Sequence, residues 1–302
     1  MSGACDGLVA IVTGASQGGT GTAIAIRLAA EGARVAVTAR SSAGLDETVQ
    51  RIADIGGPPA IAVPTDLSSA EGGRATLVAE VTDRLGPVDI LVNNAAMGGY
   101  KPFEDWNQRE LEMMAHVNIW SPWALMRDVV PAMRARGRGW VVNLTSFAGE
   151  LPPGPPFPTN KPAAAGSAYG STKAALNRLT VAVAAETAGD GIAVNALTPQ
   201  AAIATPQLVA AGWVDQAYME PLETMAEATL ALCTGTLTGR IAYSLQLLLE
   251  LDRPVLDLAG TTPVPGWQPA DLRAVIATHA TRLAGAGWPD AFTFHRGHSP
   301  SP

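Results

Sequence analysis

Leu8-Val-Ala-Ile-Val-Thr-Gly-Ala-Ser-Gln-Gly-Gly-Thr-Gly21 is the stretch that decides the fold. Its first six residues form a short apolar run that stops at glycine, the pattern of a strand buried on both faces. A glycine-rich turn follows from Thr13 to Gly21, and Thr22 to Glu31 reads as a helix closed by Gly32. Arg34 to Thr38 is the next apolar strand, so the four pieces make one βαβ unit. Glycines placed here let the backbone approach a pyrophosphate, and the helix that follows offers free N–H groups and the positive end of its dipole. Between the first strand and first helix of an α/β sheet, such a turn points to a dinucleotide.

The alternation continues outward. Leu45 to Ile55 reads as helix, Ala60 to Val63 as a strand ending at Asp66, Ala70 to Leu85 as helix, and Val88 to Val92 as a strand ending at Asn93-Asn94. Helical stretches at Asn107 to Asn118 and Pro122 to Ala135 lead to a strand at Trp140 to Leu144. Ala168 to Thr187 is helical and Ile192 to Ala196 is a strand. Strands recurring with helices between them predict a Rossmann-type, doubly wound parallel α/β sheet with helices on both faces. No linker divides it, so residues 1–250 read as one nucleotide-binding domain that also holds the catalytic site. Residues 251–302 read as a C-terminal extension with one helix near Ala270 to Leu283, which packs on the domain or a partner chain, and a mobile end from Arg296.

The bulk properties exclude other classes. A net charge of −7 argues against nucleic acid or an acidic membrane as partner. Neither an apolar run of membrane-spanning length nor a signal-peptide pattern is found. Cys5 and Cys233 lack metal-ligand spacing and read as unpaired thiols, so the expectation is a cytoplasmic protein without a metal.

Chemistry concentrates in Ser167-Ala-Tyr-Gly-Ser-Thr-Lys-Ala-Ala-Leu176. On a helix, Tyr169 and Lys173 stand one above the other, and an ammonium beside a phenol favours the phenolate. Such a phenol can exchange a proton with an alcohol oxygen. At the end of the second strand the chain has Thr38-Ala39-Arg40, with no carboxylate before Asp46. An arginine there pairs with a ribose 2′-phosphate, so NADP(H) is favoured and NAD(H) remains possible. Asp66, with Leu67 beside it, is placed to meet the adenine.

These residues, in this order, resemble the short-chain dehydrogenase/reductases in their compact single-domain branch, over roughly residues 6 to 245. The matching motifs are Thr13-Gly14 with Gly19 and Gly21, Asp66, Asn93-Asn94-Ala95, Asn118, Val142-Asn-Leu-Thr-Ser146, Tyr169 with Lys173, and Ile192-Ala-Val-Asn-Ala196 followed by Pro199. The resemblance implies Tyr169 as general acid/base. Lys173 then tunes the phenol and holds the nicotinamide ribose, and Ser146 hydrogen-bonds the substrate oxygen. Asn118 bends its helix and holds a water that links Lys173 to solvent. Tyr169 also touches the cofactor, and Gly14, Ser16, Gly19, Gly21, Asn94, Ala95, Pro199 and Thr205 complete its contacts, while Asn195 ties a turn. Members of the family usually pair through the two long helices, so a homodimer or homotetramer is expected.

Departures from the family pattern mark this chain. The glycine turn carries one extra residue, so Gly18 and Gly19 compete for one role, and Gln200 replaces the glycine after Pro199. Ser146 and Tyr169 are 23 residues apart, because Gly149 to Gly166 holds six prolines and reads as an extended, ordered loop. That loop is expected to wall the substrate pocket, with Phe147, Leu151 and Phe157 as apolar contacts. Gln200 and Trp213 add to the pocket, with Tyr218 and Met219 beyond them as a second wall or lid. The function expected is NADP(H)-dependent hydride transfer to or from a carbonyl or secondary alcohol of a mainly apolar small molecule. The rivals are an epimerase or dehydratase that retains its cofactor, and a non-catalytic cofactor-sensing protein.

Overall fold

In the computed structural model, residues 3–69, 74–99, 101–152, 166–212 and 214–285 are described. Their strands are β1 (Val9–Thr13), β2 (Arg34–Thr38), β3 (Ile61–Ala62), β4 (Ile90–Asn93), β5 (Gly139–Leu144), β6 (Ile192–Thr198), β7 (Ala202–Ile203), β8 (Met219–Glu220) and β9 (Ile241–Tyr243). Seven of them pair in parallel in the order β3-β2-β1-β4-β5-β6-β9, while β7 and β8 form a small separate parallel pair. The reversal of order at β1 and β4 opens a crevice at the carboxyl ends of the strands.

Strand periodicity explains the two cores. Ala10 and Val12 of β1 pack on the face covered by α1 (Thr20–Ala30), α2 (Ser42–Asp54), α8 (Leu222–Thr234) and α9 (Ser244–Glu250). Their neighbours Val9 and Ile11 point the other way, toward α3 (Arg74–Leu85), α5 (Ser121–Arg136) and α6 (Ser167–Glu186). With both faces covered, the strands are apolar on both sides, which is why they read as unbroken runs rather than alternating ones.

The structure corrects the expected elements in three places. The two helices read around Asn118 are one continuous rod: α4 (Gln108–Ala115) passes through a π turn at His116–Trp120 into α5. Pro122 stands inside that rod just after the π turn, where it has no N–H to return to the preceding turn. Helix α1 starts at Thr20, two residues earlier than read, with Gly19 as its N-cap. Strand β6 runs to Thr198, closing the distance to Pro199. Asn195 does tie a turn, but the one before β9: its amide donates to the Leu237 carbonyl and its oxygen accepts from the Arg240 N–H.

The extension is part of the same core. After α9, Val255 and Leu272 are fully buried in the α1/α8 face, and α10 (Pro269–Gly285) packs on α9. Beneath it, Arg27 of α1 donates to Glu227 of α8, which also accepts from Arg253 (3.0 Å), while Glu31 pairs with Arg27 at 2.7 Å. Cys5 and Cys233 are buried and free. The expectations for Phe157, for most of the proline-rich loop and for the end from Arg296 lie outside the described residues.

Candidate active site

Every site residue predicted from sequence and described in the structure lies at or near the carboxyl ends of the strands. The glycine turn after β1 comes first. Gly14 has φ of +70°, and a Cβ there would stand 2.8 Å from the Ala95 Cα. At Gly21 a Cβ would collide with the Asn94 amide and the Gly14 carbonyl. Only glycine allows this approach of turn, helix and β4 exit. Asn94 braces the turn, its amide donating to the Thr13 carbonyl (2.8 Å) and to that of Gly14 (3.1 Å). The Asn94 and Ala95 N–H groups both donate to the Thr13 hydroxyl. Helix α2 closes the other side, where Gly44 packs against Ser16 and the Thr48 hydroxyl donates to the Ala15 carbonyl.

Arg40 is exposed at the end of β2. Asp66 is also exposed, and the Ser68 N–H holds its carboxyl below the usual range, with the Arg40 charge adding to the effect. Leu67 is buried and its carbonyl accepts from Ser121. The sequence reading missed Arg51 of α2, whose guanidinium lies beside Gly18, 3.9 Å from where a Cβ would stand.

Tyr169, Lys173, Ser146 and Asn118 are brought together by β5, α6 and the π turn. Ser146 leaves β5 in extended backbone, and its oxygen accepts from the Ala148 N–H of the 3-10 turn Phe147–Gly149. That turn lies directly on α6. A Cβ at Gly170 would collide with the Ala148 carbonyl, and one at Gly149 would stand 3.0 Å from the Ala174 nitrogen. Gly149 and Gly170 thus let the turn that follows Ser146 lie directly on the helix that carries Tyr169, a signal that the motif alone does not carry. Lys173 is 2 % exposed, with its ammonium 5.7 Å from the Tyr169 ring centre and donating to the Leu144 carbonyl at 2.8 Å. Among the described residues it has no carboxylate partner, and burial pushes its pKa down to about 8.

Asn118 is fully buried within the π turn. Its oxygen accepts from the Met97 N–H at 2.8 Å, and its amide donates to the Met97 carbonyl and to Thr172 Oγ1, both at 2.9 Å. Thr172 in turn donates to the Tyr169 carbonyl at 2.8 Å. Asn118 therefore joins the β4 exit loop to the helix that carries Tyr169. Gly98 of that loop faces the Tyr169 ring, and Gly99 packs against Trp106, which Lys101 covers at 4.5 Å.

Beyond β6, Thr198 shares a 2.6 Å hydrogen bond with Thr145, the neighbour of Ser146. Pro199 is half-buried and Gln200 is buried. Thr205 caps α7 (Pro206–Ala211), accepting from the Leu208 N–H, and it lies against Gly19. The Gln207 amide donates to the Gln17 carbonyl, so α7 sits over the glycine turn. Phe147 is half-buried and Leu151 is 79 % exposed, whereas Trp213 lies outside the described residues. Of the second wall, Met219 is buried in β8 and Tyr218 ends a 3-10 turn. Glu220 was not foreseen. It is fully buried and accepts from the Ala201 N–H (2.6 Å), Ser244 (2.7 Å) and Thr224 (2.8 Å), while burial lifts its carboxyl to about 7.

A parallel sheet wound outward from β1 and β4, with a glycine turn closing on the helix between β1 and β2, defines a Rossmann-type dinucleotide-binding fold. The chain belongs to the short chain dehydrogenase family, whose sequence profile matches residues 8–210. It is 34% identical over 193 residues to the ketoacyl reductase HetN of Nostoc sp., a match that covers 64% of this chain and 63% of that protein's length. It is 36% identical to a galactitol 2-dehydrogenase of Cereibacter sphaeroides, over 64% of this chain and 71% of the other. A metagenomic short-chain oxidoreductase solved in complex with NADP superposes with a TM-score of 0.66 at 30% identity, covering 80% of this chain and 97% of its own. No helix among the described residues is long and apolar enough to cross a membrane.

Proposed function

We propose that the protein is an NADP(H)-dependent oxidoreductase that interconverts a carbonyl and a secondary alcohol in a mainly apolar small molecule. The observation that carries this reading is the convergence of Ser146, Tyr169 and Lys173 at the end of β5, with Gly98 facing the phenol. The residues fit a dinucleotide: Gly14 and Gly21 let the turn close tightly on Asn94 and the β4 exit, and α1 opens beneath it with no acidic residue in its first turn. When bound, the nicotinamide supplies or accepts the hydride.

The chain's own residues handle the oxygen. The Ser146 hydroxyl donates to the substrate oxygen as negative charge builds there, and the Tyr169 phenol gives that oxygen its proton, or removes it in the reverse direction. The Lys173 ammonium, with no carboxylate among the described residues to neutralise it, favours the phenolate and offers donors to ribose hydroxyls. Asn118 keeps α6 and the β4 exit loop in register, and its π turn is where a water on the route from Lys173 to solvent would bind. Arg40 supports NADP(H), because a guanidinium at the end of β2 is placed for a 2′-phosphate. Gly19, Ser16, Asp66, Leu67, Ala95, Pro199 and Thr205 complete the cofactor's path along the strand ends.

Support for an apolar substrate comes from Met97, bonded to Asn118, and Phe147 of the turn after Ser146, both half-buried beside the catalytic residues. The test is a panel of ketones and secondary alcohols of rising apolar size, assayed with NADPH or NADP. Turnover should rise with apolar size and vanish in Tyr169→Phe. Activity confined to small polyols would reject the substrate class. We also propose a homodimer contact on the end of the π turn, α5 and α6, where Trp120 and Trp123 are each 51 % exposed and Val181 is 39 % exposed. Light scattering should give twice the chain mass, and Trp123→Glu should give the monomer.

A further inference from the structure

Gln200 is 3 % exposed, yet among the described residues neither its amide nitrogen nor its amide oxygen has a hydrogen-bond partner. Buried polar atoms are nearly always paired, and a side chain with both ends orphaned calls for a physical reason. Its backbone, in contrast, is held firmly. The Gln200 N–H donates to Ser244 (3.1 Å), and the next N–H, of Ala201, donates to Glu220. Ser244 and Thr224 converge on the same carboxylate. The mount is fixed while the amide it carries is uncommitted, so turning that amide breaks no hydrogen bond.

The loop that carries Gln200 runs between two points of the dinucleotide path. It starts at Thr198, bonded to the neighbour of Ser146, and reaches Thr205, which touches Gly19 of the glycine turn. Resting on the cofactor reading above, we infer that the Gln200 side chain reads the carboxamide of the nicotinamide. The stoichiometry of the orphaned atoms favours this group. A primary carboxamide presents one donor and one acceptor side by side, so an amide facing it satisfies both of its own ends at once. A ketone or alcohol oxygen on the substrate satisfies one end and leaves the other unpaired. The glycine expected at this position has no side chain to do this, so the contact belongs to this chain's own departure from its family.

The test measures equilibrium binding, read by tryptophan fluorescence or calorimetry without turnover. The probes are NADPH and its 3-acetylpyridine analogue, in which a methyl replaces the carboxamide nitrogen. Wild type should prefer NADPH by about tenfold, the usual scale for one buried hydrogen bond. Gln200→Met, close in volume, should weaken NADPH by a similar factor, leave the analogue within about twofold, and bring the ratio near one. Gln200→Leu serves as a second apolar variant, and a melting curve for each checks that it folds. A ratio unaltered by either substitution overturns the inference, whether both affinities fall together or neither moves. So does an unchanged ratio accompanied by a higher KM for the carbonyl substrate, which would assign the amide to the substrate. If wild type binds neither NADPH nor NADH, the cofactor reading fails and the inference with it.

Discussion

Two buried charged clusters stand on opposite sides of the sheet and are built on opposite principles. Behind α1, Arg27, Glu227, Arg253 and Glu31 set two cations against two carboxylates, under the cover of the C-terminal extension. At the carboxyl end of β5, Lys173 is as deeply buried as Arg27, and among the described residues its ammonium meets the Leu144 carbonyl and the Tyr169 ring. The first cluster closes its charges on one another and holds elements together. The second keeps a cation short of partners, which costs stability and leaves its donors for a ligand.

Breaking the first cluster should have the largest effect on folding. Glu227→Gln leaves two guanidinium groups facing a neutral amide, and removing one partner of a buried pair costs about 3–5 kcal/mol. Chemical denaturation should show that loss, while the turnover of the folded fraction stays near wild type. A variant as stable as wild type would mean the cluster is wet and weak.

Lys173→Met should do the reverse, with activity down by roughly 10²–10³ and a melting temperature equal to or above that of wild type. The pH dependence sharpens the point. Burial lowers the folded pKa of Lys173 from 10.5 to about 8, so below pH 8 both states carry the charge and the penalty is complete. Between pH 8 and 10.5 the folded chain sheds its proton first, and the penalty fades. The stability advantage of Lys173→Met should therefore shrink over that window, while wild-type activity falls above pH 8. An advantage that is constant with pH would contradict the assignment.

Glu220 lies between the two cases, a buried carboxyl that accepts from Ala201, Thr224 and Ser244 and, among the described residues, faces no cation. Its pKa is raised from 4.5 to about 7, so wild-type stability should fall as pH rises through that interval and level off above it. Glu220→Gln should remove that slope, as melting temperatures across the interval would reveal. Smaller effects belong to the exposed cations. Arg40→Ala should weaken NADPH by about tenfold and leave NADH alone; equal losses for both would refute the 2′-phosphate contact. Arg51→Ala, on the outer side of the same turn, should weaken NADPH by only a few fold.

The same contrast sets what could be read from the sequence. Strands buried on both faces leave unbroken apolar runs, and glycines forced by close approach at Gly14 and Gly21 leave fixed spacings, so sheet and turn were legible. Tyr169 and Lys173 were legible because one helix carries both. Glu220 was not, since its donors come from residues 201, 224 and 244 and meet only after β7 pairs with β8. The roles of Gly149 and Gly170 were hidden for a similar reason: what matters is how closely a turn lies on a helix, and neither segment shows this alone. The π turn at Asn118 escaped because Pro122 looks like a helix start whether or not a helix precedes it.

The central claim is that Tyr169 moves the proton while other residues hold the ligands. Tyr169→Phe removes one oxygen and leaves the ring in place. On the best ketone of the panel, the account predicts an NADPH dissociation constant within about twofold of wild type and a kcat lower by about 10³. A kcat within tenfold of wild type, with cofactor still bound, would contradict it.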